Sequence, residues 1–200
     1  MINPTEPVRC AWVTHDPLYQ EYHDNEWGVP QYDPLCLFEL LLLEGQQAGL
    51  NWLTVLKKRP ALRRAYAGFN PPALAAFTET DFNRLRQDPA IIRNRLKIRA
   101  AIQNAKAYLQ CEKQGINFAD LVWDCVGGQP LVNDWERAQD VPVLTAQSKA
   151  LSATLKKRGF AFVGPTLCYA FMQAAGMVND HTRACFRAPI KPVKAQYKSG

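Results

Sequence analysis

The chain has 200 residues, of which 48% are hydrophobic and 21% are charged, and this composition suits one globular domain able to bury a core. The net charge of +6 allows contacts with phosphates but does not require them, because many basic proteins bind no nucleic acid. The N-terminus lacks a basic stretch followed by an apolar one, and the most apolar run, residues 40–43, is too short to cross a bilayer. We therefore expect a soluble, cytoplasmic protein without a membrane partner, whose six cysteines are thiols or metal ligands rather than disulfides.

Helix is predicted over most of the chain. Gly45 is expected to end the first helix, Pro60 to stop the second, and Thr80 to cap the fifth. Residues 160–163 are the best candidate for a strand, but four residues between two helices suit a turn better. In chain order the predicted helices cover 34–43, 51–59, 63–67, a short one starting at Asn70, 81–87, 96–114, 118–126, 148–157 and 165–175.

The segments outside these helices complete the predicted organisation. Residues 129–143 are polar and hold two prolines, which indicates an irregular connector. The expected fold class is all-α, a compact multi-helix domain over residues 1–190, followed by a basic, disordered tail over 191–200.

Two Cys and two His residues lie near opposite ends of the chain. His181 and Cys185 are four residues apart, so both side chains leave the same face of a helix. With Cys10 and His23 they provide the sulfur and nitrogen ligands that zinc prefers in a closed, structural site. The spacing from Cys10 to His23 is not that of a compact zinc finger, so a buried core position remains an alternative. The remaining thiols are expected to pack in the interior, and His15 to be solvated; those thiols are Cys36, Cys111, Cys125 and Cys168.

Residues 43–52 form a polar, glycine-flanked turn between an apolar helix and a tryptophan. Glu44, at the end of so apolar a helix, is predicted to be partly buried, where a carboxylate needs partners or becomes protonated. This placement fits a ligand pocket that Trp52 helps to form. The alternative is that Glu44 binds backbone amides at the turn while Trp52 packs in the core.

Aromatic side chains are concentrated near the N-terminus, at Trp12, Tyr19, Tyr22 and Trp27. Tyrosine and tryptophan provide flat faces for stacking and a polar group for hydrogen bonding. Both properties suit a pocket for a nucleobase flipped out of DNA. A core or interface cluster is the alternative.

Residues 156–166 form a basic helix end, a short apolar turn and a new helix start. A helix N-terminus presents unpaired N–H groups to an anion, and Gly164 permits a close approach of the backbone. The pattern is typical of a helix-hairpin-helix element that grips the DNA backbone. An ordinary connection between two helices is the alternative.

Taken in order, four segments resemble the 3-methyladenine DNA glycosylase I family, over almost the whole chain from Cys10 to Cys185. The segments are Asp16 to Tyr19 with Tyr22 to Pro30, then 43–52, 156–164 and 178–181.

This resemblance implies a helix-hairpin-helix DNA glycosylase that hydrolyses the glycosidic bond of 3-methyladenine and leaves an abasic site. The implied partner is double-stranded DNA with alkylated adenine, bound by a monomer with one structural zinc and no organic cofactor. The implied zinc ligands are Cys10, His23, His181 and Cys185. The implied base pocket holds Glu44 as the catalytic carboxylate, with Tyr19, Tyr22, Trp52 and Trp12. The implied DNA contacts are Gly49, Leu50, Gly159, Phe160, Val163, Gly164 and Thr166.

Two positions depart from the pattern that the resemblance implies. Many superfamily members have Asp where this chain has Asn179, which predicts that no Asp drives the reaction here; Asn51 stands where a small hydroxyl residue is expected.

Two alternative functions are a glycosylase of different or broader lesion range, and a non-catalytic, zinc-stabilised module that binds nucleic acid. A zinc deaminase is disfavoured because the chain has no His-x-Glu and no Pro-Cys-x-x-Cys.

Overall fold

The computed structural model describes residues 6–188; the predicted tail over 191–200 lies outside the described residues. Within that range the chain is mostly helical, as predicted. Residues 67–69, 124–126 and 138–140 form short 3-10 turns. The helices are α1 Pro17–Asn25, α2 Pro34–Gln47, α3 Trp52–Ala65, α4 Pro71–Ala75, α5 Glu79–Gln87, α6 Arg95–Lys113, α7 Phe118–Trp123, α8 Ala146–Lys157 and α9 Pro165–Ala174.

Polar side chains at the N-caps define where these helices begin. Asp33 accepts hydrogen bonds from the backbone N–H groups of Leu35 and Cys36, and Pro34 occupies the first turn, where its missing N–H costs no bond. The prediction that Thr80 caps α5 is wrong. Thr78 caps it instead, because its side chain and Asp81 form a reciprocal capping box.

Two predicted helix ends are also wrong. Gly45 lies inside α2, which continues to Gln47. Pro60 lies inside α3, so the two helices predicted at 51–59 and 63–67 are one. Proline removes one hydrogen bond from a helix, but side chains of α3 on both sides of Pro60 are buried in the core, and this packing continues the helix across it.

A small sheet occurs where an irregular connector was predicted. β1 Leu131–Val132 pairs in parallel with β2 Val178–Asn179, with Leu131 opposite Val178. Two residues per strand are too few to produce an alternating pattern in the sequence, so the prediction missed both. The pairing holds the 129–143 segment beside the chain that leads to His181.

The core is built around α2, which packs against α3, α6, α7 and α9. Leu37, Phe38 and Leu43 of α2 are completely buried. Cys111 and Cys168 are buried, as predicted, and Cys125 is half-buried. Cys36 is exposed on the first turn of α2, which contradicts its predicted packing. Within residues 6–188 no helix combines the length and apolar character needed to cross a membrane.

Candidate active site and metal centre

The four predicted metal ligands meet in one buried cluster. Their ligand atoms all lie within 4.8 Å of one another, and we call Cys10, His23, His181 and Cys185 the metal cluster. Sγ of Cys10 lies 3.5 Å from Nδ1 of His181, and Sγ of Cys185 lies 3.4 Å from Nδ1 of His181 and from Nε2 of His23. A tetrahedral ion bound by sulfur and nitrogen separates such ligands by about 3.5 Å, so the arrangement fits a metal ion.

Groups around the metal cluster hold its histidines in place. Nδ1 of His23 lies 2.7 Å from Oδ1 of Asp24, which leaves Nε2 to face the cysteines. Arg9 binds both carboxylate oxygens of Asp24, and this contact lowers the pKa of Asp24. Nε2 of His181 lies 3.3 Å from the carbonyl oxygen of Trp27.

The two thiols of the cluster have opposite pKa shifts. Hydrogen bonding with Cys10, and then with His181 and His23, lowers the pKa of Cys185. Hydrogen bonding with Cys185 and burial raise the pKa of Cys10. The pair therefore already stabilises one thiolate, which is the form that binds metal.

A pocket of about 300 Å³ opens beside the metal cluster, and this size falls within the range of small-molecule sites. All the residues predicted for a base pocket line it, so we call it the aromatic pocket; they are Trp12, Tyr19, Tyr22, Glu44 and Trp52. Trp27 of the N-terminal aromatic cluster also lines this pocket, and so do four residues that were not predicted: Gln47, Gln173, Asp180 and Thr182.

Rings from three segments form the aromatic walls. The ring of Trp12 lies 5.0 Å from that of Tyr19 and 5.1 Å from that of Trp27. The rings of Tyr22 and Trp52 are 5.4 Å apart. Burial raises the pKa of Tyr22 well above its usual value, so its hydroxyl stays neutral.

Glu44 lies in the last turn of α2 and is 4% exposed. Among the described residues its Oε2 has no hydrogen-bond partner, and neither has Nε1 of Trp52. Burial raises the pKa of Glu44 to about 8. Buried polar atoms without partners are costly, and one acceptor and one donor of this kind in a pocket indicate a site for a polar ligand.

The turn at residues 48–51 follows Glu44 and reaches the surface. Gly49 has φ +79°, a left-handed conformation that glycine adopts without strain, and Leu50 is 41% exposed. Asn51 caps α3, since its side-chain oxygen accepts from the N–H of Thr54. Lys97 of α6 is buried beneath this turn and donates to the carbonyl oxygens of Gln46, at 2.8 Å, and Ala48, at 2.7 Å. No pattern in the sequence predicted this contact of Lys97.

The segment at residues 158–164 connects α8 and α9 as a turn, as predicted. Gly164 precedes α9 without a side-chain cap, so N–H groups of the first turn remain free for an anion. Thr166 and Gly159 are exposed or at the surface. Phe160 and Val163 are buried in the core, so only their backbones can face DNA, whereas Phe162 is 36% exposed.

This chain is similar to known proteins over most of its length. The family model described as methyladenine glycosylase matches residues 12–188. The chain belongs to the methyladenine glycosylase family. "DNA-3-methyladenine glycosylase 1" of Escherichia coli (strain K12) is 56% identical to this family member over 177 residues, which cover 88% of this chain and 95% of that protein.

Solved structures of the methyladenine glycosylase family have the same fold. A crystal structure of 3-methyladenine DNA glycosylase I matches with a TM-score of 0.90 and 54% identity, over 91% of this chain and 100% of that chain. A variant of 3-methyladenine DNA glycosylase I in complex with 3-methyladenine matches with a TM-score of 0.87 and 38% identity, over 92% of this chain and 99% of that chain.

Proposed function

We propose that this chain is a DNA glycosylase that removes 3-methyladenine from alkylated DNA and leaves an abasic site. The observation that carries the proposal is the aromatic pocket with its two unpartnered polar atoms, Oε2 of Glu44 and Nε1 of Trp52. Family membership and a relative in complex with 3-methyladenine support the same substrate.

The chemistry needs a pocket that favours a cationic base. Methylation at N3 makes the adenine of the nucleotide cationic and a good leaving group, so a strong acid is not required. Trp52 stacks on the base with a cation–π contribution, and Tyr22 and Tyr19 complete its shape. Glu44 accepts a hydrogen bond from the adenine edge, and the nearby cation favours its ionised form. Unmodified adenine lacks the charge and loses this part of the binding.

The reaction proceeds by hydrolysis. The bond from C1′ of the sugar to N9 of the base breaks, and its electron pair leaves with the base, which becomes neutral. The sugar passes through an oxocarbenium-like state, water adds to C1′, and the proton of that water goes to solvent. We propose no covalent intermediate with a lysine and no strand cleavage.

We propose that the metal cluster holds one structural zinc ion. Two thiols and two imidazoles are a typical zinc set, and the distances of 3.4 and 3.5 Å between sulfur and nitrogen match its tetrahedral geometry. With four protein ligands the site is closed, so Cys10, His23, His181 and Cys185 stabilise the fold and fix the pocket wall that adjoins them.

Two surfaces are proposed to bind the DNA. Leu50, presented by Gly49, inserts into the base stack where the damaged nucleotide leaves. The free N–H groups at Gly164 and Thr166 bind a backbone phosphate, and the backbone around Gly159, Phe160 and Val163 shapes this helix-hairpin-helix element. We further propose that residues 1–190 act as one domain and that the enzyme is a monomer.

The deciding experiment is release of free base from methylated duplex DNA by the purified protein, resolved by chromatography. We expect release of 3-methyladenine with little 7-methylguanine. Release of many methylated bases would retain the glycosylase but contradict the selective pocket. Intact protein that binds DNA and releases no base would contradict the enzymatic function and support a non-catalytic module.

A further inference from the structure

Asp180 is a second buried carboxylate in the aromatic pocket. It is 2% exposed and lines the pocket together with Glu44. It directly follows Asn179, the last residue of β2 and the position at which many superfamily members have Asp. The proposed function above has no use for this group.

Four side chains donate hydrogen bonds to this one carboxylate. Oδ1 accepts from Nδ2 of Asn133 and Nε1 of Trp135, both at 2.7 Å. Oδ2 accepts from the hydroxyl of Tyr169 at 2.7 Å and from Nε2 of Gln173 at 2.8 Å. A carboxylate oxygen has two lone pairs, so the protein fully occupies both oxygens.

Full occupation limits what Asp180 can do. An oxygen whose lone pairs are taken does not orient a water molecule for attack on the sugar, and it does not act as a nucleophile. What remains is the charge of the carboxylate, which the four donors hold in place, and a charge in a buried site acts over a longer range than one in water.

The environments of the two pocket carboxylates are opposite. Within residues 6–188 Oε2 of Glu44 has no hydrogen-bond partner, and burial raises the pKa of Glu44 to about 8, which favours its neutral form at pH 7. Asp180 has four partners. The two carboxyl groups therefore differ in how far the protein satisfies their hydrogen bonding.

We propose that Asp180 is a positioning residue that gives the aromatic pocket a fixed negative charge, which favours a cationic occupant and the oxocarbenium-like state of the sugar. The same carboxylate holds Gln173 of α9 in the pocket wall and binds Asn133 and Trp135 behind it. The inference rests on the proposed glycosylase function and adds a group whose contribution does not depend on direct contact with the base.

The test compares binding of two duplexes that differ in one charge. One duplex contains a cationic pyrrolidine abasic analogue and the other a neutral tetrahydrofuran abasic analogue at the same position. Wild-type protein is expected to prefer the pyrrolidine duplex. Asp180→Asn is expected to lower that preference about tenfold, a change of about 1.4 kcal/mol. A purely structural role predicts weaker binding of both duplexes by the same factor.

Two matched variants separate the charge from the network. Tyr169→Phe removes one donor and keeps the carboxylate, so its preference for the pyrrolidine duplex should equal or exceed that of wild type. Asp120→Asn makes the same change of charge at an exposed site outside the pocket and should have no effect. Circular dichroism and metal content establish that each variant is folded.

Several outcomes overturn the inference. An unchanged preference in folded Asp180→Asn contradicts it, and so does a loss of preference in Tyr169→Phe. Should Asp180→Asn fail to fold, Tyr169→Phe decides alone. Wild-type protein that releases base but shows no preference for the pyrrolidine duplex also contradicts it. Failure of wild-type protein to release any base contradicts the proposed function instead.

Discussion

The metal cluster and the aromatic pocket are assembled from neighbouring residues, yet they differ in one property. Tyr22 lines the pocket and His23 belongs to the cluster; Asp180 and His181 divide in the same way. Each ligand atom of the cluster lies against another member, whereas Glu44 and Trp52 leave polar atoms without partners in the pocket. An unpartnered polar atom therefore indicates a ligand site only where it also lines a pocket, as in Glu44 and Trp52; buried atoms of Gln46 and Tyr66 likewise lack partners among the described residues but lie outside this pocket.

The largest expected effect is on the cluster. Cys185→Ser should lower the free energy of unfolding by about 4 kcal/mol or more, because it removes one ligand of a structural metal ion. Urea denaturation with metal analysis measures this, and Cys36→Ser, which changes an exposed thiol, is the control. If metal-free wild-type protein has the same free energy of unfolding as wild-type protein with metal, the cluster is only a packed core.

A pH-dependent effect distinguishes the pocket from the cluster. Folding raises the pKa of Glu44 to about 8, above the 4.5 of an ordinary glutamate, so the folded state binds the proton more tightly. The contribution of Glu44 to stability is therefore fully present below about pH 4.5 and is lost as pH rises to about 8.

The measurement is the unfolding free energy of wild type and Glu44→Gln across this pH range. The free energy of unfolding of the variant should rise relative to that of wild type by about 4 kcal/mol between pH 4.5 and 8, with little further change above about pH 9. A difference that stays constant with pH would mean that Glu44 is already ionised in the empty pocket.

Catalysis by the same variant gives a third comparison. Glu44→Gln should slow release of 3-methyladenine about 10- to 100-fold, because an amide lacks the charge that favours the cationic base. Single-turnover assays on methylated DNA measure this rate, and Glu21→Gln at an exposed position is the control. Full activity of Glu44→Gln would refute the role assigned to Glu44.

Lys97 is buried beneath the 48–51 turn and its hydrogen bonds are satisfied, so replacing it, like replacing a residue of the metal cluster, should lower stability. Lys97→Met leaves the carbonyl oxygens of Gln46 and Ala48 without their donor, so we expect a loss of about 2 kcal/mol in stability. Activity on DNA should fall about tenfold as turn 48–51 loosens, whereas affinity for free 3-methyladenine should hold. Lys97→Arg retains a donor and should recover part of both losses. Equal loss of free-base binding would place Lys97 in recognition instead.

Gly164→Ala should have the smallest effect. A Cβ at this position meets no atom of the described residues within 4 Å, so the unfolding free energy should change by less than about 1 kcal/mol. Affinity for undamaged duplex DNA should fall a few-fold, because the methyl group obstructs the approach of a phosphate to the free N–H groups. Unchanged affinity at low salt would show that the start of α9 does not touch DNA.

The sequence predicted those parts that depend on local chemistry. Asn70 before two prolines predicted the start of α4, and the apolar spacing from Ile98 to Leu109 predicted α6. Residue chemistry suggested the four metal ligands and the five pocket residues as candidates, but only the resemblance joined them into sites, because their positions are too far apart in the chain for spacing alone to join them.

What the sequence did not predict depends on packing between distant segments. α3 continues through Pro60 because its side chains pack in the core, and sequence patterns of neighbouring residues do not predict that packing. Asp180 accepts hydrogen bonds from α9 and from the 133–135 segment, and Lys97 donates to carbonyl groups at the end of α2. These partners are distant in the sequence. A lysine in a helical pattern is normally read as a solvated side chain, and only the fold shows that this one is buried.

Helix α6 contacts both of the proposed DNA-binding surfaces and holds them at a fixed spacing. Lys97 supports turn 48–51 at one point of this helix, and Asn104 binds both the N–H and the carbonyl oxygen of Ala161 at another. These two points are about two turns apart, or about 10 Å along the axis, close to three base-pair steps of about 3.4 Å. In the proposed binding mode, α6 therefore sets the distance between the turn that enters the base stack and the hairpin that holds a phosphate.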